Sequence, residues 1–186
     1  MSDFIKMIQQ RTSNPRLKAP APDRATVETL LACAVRAPDH GRMRPWRFLV
    51  LEGRALEELG EAYEKAGLAT DPQADEVKRS RWRAMPLRAP MVMVAVARLK
   101  PNPKVPDWEQ LAAVAAAVQN VQLAAHALGY GAMWRTGDMT SAAAVFEYLG
   151  LEPSDRIVAF LYLGTPEGEN RAPDFQPLDQ CVEYRS

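Results

Sequence analysis

DWEQLAAVAAAVQNVQLAAHALGYGAMWRTG occupies residues 107–137. Its first part predicts one long helix over 107–128. The middle of that helix, AAVAAAV, combines high helix propensity with almost no side-chain bulk. Small side chains allow helices to approach closely, so this helix is expected at the centre of the fold, against another helix. Gly129 fits its C-terminal cap, where the chain turns left-handed. GAMWRTG (131–137) then reads as a short strand running into a loop.

Working outward, MVMVAVA (91–97) is a continuous apolar run of strand length, the pattern of a buried central strand. RIVAFLYLG (156–164) and WRFLVLE (46–52) read as further strands. Helical periodicity predicts helices at 3–11, 54–68, 72–84 and 141–150, with Leu56, Leu59 and Tyr63 sharing one side of the second. Asp23 is placed to cap a helix through TVETLLACAVRA, which Ala37-Pro38 ends because the residue before proline avoids the α region. NPRLKAPAP (14–22) and PNPKVP (101–106) read as connectors. From Thr165 to Ser186 the chain is polar and proline-bearing, with no core of its own.

The chain has 186 residues, 47% hydrophobic and 25% charged, which suits one globular domain. Lys+Arg 23 balance Asp+Glu 23, so no global attraction to nucleic acid or anionic membrane is indicated. Cys33 and Cys181 fit no zinc spacing, and His126 has no second histidine at ligand spacing, so no metal is expected. The N-terminus lacks the apolar core of a signal peptide, and no apolar run is long enough to span a bilayer. A cytoplasmic location is expected. GxGxxG, P-loop, GxSxG and HExxH motifs are missing from the sequence.

Cations concentrate in three places. Arg11-Thr12-Ser13 offers a forked guanidinium and two hydroxyls that could grip a phosphate monoester. The competing reading is a solvated helix end. RAPDHGRMRPWRF (36–48) is either a cationic wall for an anionic ligand or a surface turn with solvated arginines. In it, Pro45, Trp46 and Phe48 are expected to anchor the turn to the core, and Arg44 and Arg47 to be solvated. VKRSRWRAMPLR (77–88) holds Lys78, Arg79, Arg81, Arg83 and Arg88 around a single aromatic, Trp82, which favours a solvated or cofactor-covering face over single-stranded nucleic acid. Separately, Trp134-Arg135-Thr136-Gly137 could flank a flat heteroaromatic ligand or simply end a strand on a core tryptophan.

Taken in order, QQRTSNPRL, RAPDHGRMRPWRF, AAVQNVQLAAHALGYG and FLYLGTP resemble the nitroreductase family of FMN-dependent oxidoreductases over nearly the whole chain. The short length and the sequences APDH, WRTG and FLYLGTP resemble its minimal-length, YdjA-type branch. The resemblance implies an α+β fold with a central mixed, mostly antiparallel sheet flanked by helices. It implies a single domain over 1–186 in an interlocked homodimer, with 165–186 extending over the partner subunit. It also implies two FMN sites at the subunit interface. Carried onto this chain, Arg11, Thr12 and Ser13 would hold the phosphate and ribityl end. Arg36 and His40 would reach the same flavin from the partner, and Trp134, Arg135 and Thr136 would line the ring. Arg171 is a further phosphate candidate, and Ala124, Ala125, His126, Ala127, Leu128 and Gly129 are candidates for touching the nicotinamide. Arg42 stands where the family frequently has Asn, and Arg44 where it has Gln; Arg42 is kept as a candidate.

The implied activity passes a hydride from NAD(P)H through FMN to an electron-poor acceptor, a nitroaromatic or quinone, in a ping-pong cycle. No covalent protein nucleophile is needed. Arg36, His40 and Arg135 are candidates to stabilise negative charge on the reduced ring. Rival readings are a same-fold flavoenzyme acting on another acceptor and a non-enzymatic dimer that stores or senses flavin.

Overall fold

A strand that is apolar at every position needs cover on both faces. Residues Met91 to Ala97 are all buried, and they alternate between two layers. Met91, Met93, Ala95 and Ala97 face one apolar cluster, while Val92, Val94 and Val96 face the other. The structure, a computed structural model, describes residues 2–168 and 172–185.

In chain order the elements are α1 (Asp3–Gln10), β1 (Leu17–Lys18), α2 (Arg24–Ala34), β2 (Trp46–Glu52), α3 (Arg54–Thr70), α4 (Glu76–Ala84), β3 (Met91–Arg98), α5 (Asp107–Ala127), β4 (Gly131–Arg135), α6 (Ala143–Leu149) and β5 (Asp155–Pro166). β3 lies between β2 and β5, and β5 also pairs with β4 and β1. Every pairing between described strands is antiparallel. Helices α2 and α5 cover one face of this sheet. Helices α3 and α6 cover the other. The result is an α+β arrangement.

Helix α5 occupies the central position its composition predicts. Ala113, Val114, Ala117, Val118, Val121 and Ala125 are buried, and α2 packs on it. The Asn120 side-chain amide donates to the Cys33 carbonyl at 3.1 Å, fixing the end of α2 against α5. The β3–β5 register shifts after Ala95, so that Ala159 and then Ile157 are the partners on β5. This bulge leaves Val158 without a counterpart. The Trp134 indole N–H donates to its carbonyl at 3.1 Å.

Several boundaries differ from expectation for local reasons. The helix expected at 72–84 starts at Glu76, because the Asp75 side chain caps it by accepting from the Lys78 N–H at 2.8 Å. The helix capped by Asp23 ends at Ala34, ahead of Pro38. The connector at 14–22 contains β1, which pairs with Thr165 and Pro166 and extends the last strand beyond Gly164. The extension expected from Thr165 starts later, because Thr165 and Pro166 are held in β5 by β1; residues 172–185 hold one short 3-10 turn at Leu178–Gln180 and are largely exposed.

Candidate functional site

Helix α1 ends at Gln10, and Arg11, its C-terminal cap, is already in extended conformation. Three residues on, buried Asn14 fastens the segment to β4: its N–H donates to the Ala132 carbonyl at 2.9 Å, and its side chain accepts from the Ala132 N–H at 3.3 Å. Glycine at 131 makes this approach possible. A Cβ there would lie 2.5 Å from a Leu17 methyl and 3.0 Å from the Asn14 Cβ. Arg11 and Thr12 are half-buried and Ser13 is exposed. Among the described residues their side chains have no hydrogen-bond or ionic partner. A guanidinium and two hydroxyls are thus held at the C-terminal end of α5 with donors to spare.

The segment that begins at Arg36, beside the C-terminal half of α5, reaches the other end of that helix at His40. His40 Nδ1 meets Glu109 Oε2, in the first turn of α5, at 2.5 Å. Glu109 and Ala125, near opposite ends of α5, are about 24 Å apart along the helix axis; His40 sits at the first end, and Asn14, bonded to Ala132 just beyond the second, anchors the Arg11–Ser13 segment. Arg42 and Arg44 have left-handed φ values of 53° and 46°. Such strain, of order 1–3 kcal/mol per residue, persists only where surrounding bonds fix the backbone. Here the Asp39 carboxylate accepts the Arg44 N–H at 2.7 Å, and Lys100 Nζ donates to the Met43 carbonyl at 2.8 Å. The guanidinium groups of Arg36, Arg42 and Arg44 have no partner among the described residues. Pro45 is buried, and Trp46 and Phe48 pack on the α2/α5 layer, as expected for the anchor of the turn.

Arg47 is not solvated, contrary to expectation. Its guanidinium donates to the Gly150 carbonyl at 2.9 Å and the Leu149 carbonyl at 3.5 Å, closing the C-terminal end of α6. Carbonyls at a helix end lack partners within the helix, and a cation suits them on both counts.

The nicotinamide candidates divide. Ala124, Ala127 and Leu128 line an apolar groove of about 490 Å³ between α1, α2 and α5, together with Arg36, Cys33 and Phe4. Ala125 is wholly inside the core. His126 is half-buried in the last turn of α5, and Gly129 is exposed just beyond it.

The ring-lining candidates on β4 divide too. Trp134 faces the α2/α5 layer, whereas Arg135 faces the opposite layer, its guanidinium 5.6 Å from the centre of the Tyr162 ring. Neighbouring strand residues point to opposite faces. Their two side chains therefore do not flank one flat ligand together. Arg135 Nε is buried without an acceptor. Burial raises the Tyr162 phenol, opposed by the Arg135 and Arg88 charges, and raises that of neighbouring Tyr63 strongly. Thr136 is exposed where the loop begins. Arg171 lies outside the described residues.

The basic run at 77–88 is largely neutralised from within. Lys78 pairs with Asp71 at 2.7 Å, Arg79 with Glu64 at 2.7 Å, and Arg83 with Glu64 at 2.5 Å and with Glu76. The two guanidinium groups hold the Glu64 carboxyl below its usual range. Trp82 lies directly over Gly67 of α3, where a Cβ would come within 2.4 Å of its ring. This helix is tied to α3 rather than offered to a polyanion. Among the described residues, no group of His, Cys, Asp and Glu could hold a metal ion, and no helix is long and apolar enough to cross a membrane.

Sequence reading did not single out Glu109, Glu64, Tyr162 or Asn14. The first three act through partners distant in sequence. Asn14 had a local signal, since it directly follows the hydroxyl pair and precedes Pro15.

The sequence model of the nitroreductase family matches residues 8–165. YdjA of Escherichia coli K12, which carries the provisional name NAD(P)H nitroreductase, is 39% identical over 165 residues, covering 89% of each chain. A Haemophilus influenzae protein with the same kind of name is 35% identical over 164 residues, covering 88% of each. Among solved structures, a nitroreductase-like protein from Bacillus cereus superposes with a TM-score of 0.84 at 24% identity, over 100% of this chain and 97% of that one. A Desulfovibrio desulfuricans nitroreductase in complex with FMN superposes with a TM-score of 0.77 at 23% identity, over 100% and 98%. The order of strands and helices, the match across most of the chain and the identity to these relatives lead to one conclusion: the chain belongs to the nitroreductase family.

Proposed function

We propose that the chain is an FMN-dependent oxidoreductase that passes hydride equivalents from NAD(P)H to an electron-poor acceptor such as a nitroaromatic or quinone, in alternating half-reactions at one site. The observation that carries this reading is the donor set of Arg11, Thr12 and Ser13, fixed by Asn14 yet without a side-chain partner among the described residues. A guanidinium with two hydroxyls suits a phosphate monoester such as that of FMN. Bound FMN supplies the hydride chemistry, and the protein supplies placement and field.

The working unit is a homodimer of single-domain subunits. One flavin cannot meet both Arg11 and His40 of the same subunit across about 24 Å of helix. A second copy with its α5 running antiparallel brings the His40 turn of one subunit to the Arg11 end of the other. That arrangement also covers exposed Phe4, Ile5, Ile8 and Leu128. The exposed C-terminal segment, residues 172–185, then extends over the partner.

Within such a site Arg36 places positive charge beside the ring, where negative charge grows on reduction, and the His40 imidazole meets the same flavin. Arg42 adds a further unpaired cation. Trp134 and Thr136 line the ring from β4 and its exit. Arg135, committed to Tyr162, contributes its main chain. The groove beside Ala124, Ala127 and Leu128 borders the nicotinamide position.

The test is to purify the protein, record its visible spectrum with FMN, and add NADH or NADPH without oxygen. Bleaching of the flavin, followed by recolouring with a nitroaromatic or quinone, is the expected result. A protein that cannot be loaded with FMN refutes the proposal. A yellow protein bleached by neither nicotinamide would be a flavin store or sensor instead.

A further inference from the structure

The contact between His40 and Glu109 joins a turn residue to a helix sixty-nine positions away in sequence. It does not belong to the surface pairs formed by adjacent helix turns. Both partners are held in place independently. The His40 turn carries two left-handed arginines, locked by the Asp39 carboxylate and by Lys100 on the Met43 carbonyl. Lys100 is in turn fixed by Gln110, the neighbour of Glu109. The buried Gln110 amide accepts from the Lys100 N–H at 3.0 Å and donates to its carbonyl at 2.9 Å. The first turn of α5 therefore grips the His40 segment twice, once through its backbone and once through its imidazole.

A carboxylate can only accept a hydrogen bond. Beside Glu109 the His40 proton must sit on Nδ1, in the neutral ring as in the charged one. The side chain of Glu109 is 26% exposed and that of His40 58%. The carboxylate thus lies on the inner side, and the Nε2 edge of the ring is left to face outward.

We propose that Glu109 is a positioning residue: it fixes the tautomer and orientation of His40 so that Nε2 is presented to the flavin across the subunit interface. This rests on the flavin site described under Proposed function. Glu109 touches neither flavin nor substrate; it acts through His40.

The tautomer is read without flavin, by 15N NMR of the neutral His40 imidazole in the apoprotein. The wild type is expected to show the Nδ1–H form. Glu109→Ala is expected to return the ring to the mixture of free imidazole, and Glu109→Gln, whose amide oxygen can still accept, to restore the Nδ1–H form. An unchanged tautomer in Glu109→Ala overturns the proposal.

FMN dissociation constants supply the second readout. Glu109→Ala is expected to weaken FMN binding about 5- to 10-fold, the scale of one hydrogen bond. It should add nothing in a His40→Ala background, and Glu109→Gln should recover most of the loss. Additive losses would mean that Glu109 acts by another route and would overturn the proposal. If His40→Ala weakens FMN binding and Glu109→Ala does not, the inference fails and the flavin site stands. If His40→Ala itself leaves FMN binding unchanged, the placement of His40 at the flavin fails, and the inference with it.

Discussion

Two segments of this chain are rich in arginine, and the fold treats them in opposite ways. In α4, Lys78, Arg79 and Arg83 are matched to Asp71, Glu64 and Glu76, and the helix is seated on α3 with Trp82 over Gly67. In the Arg36–Phe48 turn, the guanidinium groups of Arg36, Arg42 and Arg44 have no partner among the described residues, and the backbone is bent into left-handed conformations at Arg42 and Arg44. Arg11 resembles the second group. Charge density in the sequence is alike in the two places; only internal neutralisation separates scaffold from candidate site. Solvated cations cost little at a surface, but unpaired ones held on a strained and braced backbone point to an external anion.

Substitutions on the two sides should separate binding from stability. The largest effect is expected at Arg11. Arg11→Ala removes a charge-assisted contact, normally worth about 1.5–3 kcal/mol, and should weaken FMN binding by roughly 10- to 100-fold with little change in thermal stability. Fluorescence titration with FMN and a melting curve of the apoprotein check both halves. On the scaffold side, Gly67→Ala drives a methyl group into the Trp82 ring and should lower stability by about 1–3 kcal/mol, read by urea unfolding, while the folded protein still takes up FMN.

Glu64→Gln tests the ionic part of the scaffold. The Glu64 carboxyl is held below its usual range, so it contributes stability above its unfolded value of about 4.5, and that contribution is lost as pH falls through its lower folded value. The variant should lose up to about 1 kcal/mol near neutrality and show a flatter fall in stability on acidification than the wild type. Arg81→Ala is expected to do least. Arg81 is exposed and makes no hydrogen bond or ion pair among the described residues, and neither the wild type nor this variant should bind single-stranded DNA in a salt-dependent way. Strong binding lost in the variant would erase the contrast between the two segments.

Elements whose signals are local were legible in the sequence. The seven apolar residues from Met91 to Ala97 announced a doubly covered strand, and the alanines of α5 announced a central helix. Asp23 caps its helix as expected, by accepting from the Thr26 N–H. Long-range pairings were not legible. Nothing near Arg47 indicates that its partners are the carbonyls of Leu149 and Gly150, and nothing near His40 indicates Glu109. The opposite directions of Trp134 and Arg135 were available from the two-residue period of a strand, once that segment is read as a strand to its end.

In the proposed dimer, one flavin takes Arg11 from one subunit and His40 from the other, and this sharing is open to direct test. It is tested most directly by co-expressing Arg11→Ala and His40→Ala chains with different tags and isolating the mixed dimer. Shared sites predict that one site per mixed dimer is fully intact and the other doubly damaged, so the mixed dimer should bind one FMN with wild-type affinity although each parent binds weakly. A mixed dimer in which both sites bind FMN as weakly as the parents would contradict the account, because each site would then draw Arg11 and His40 from a single chain.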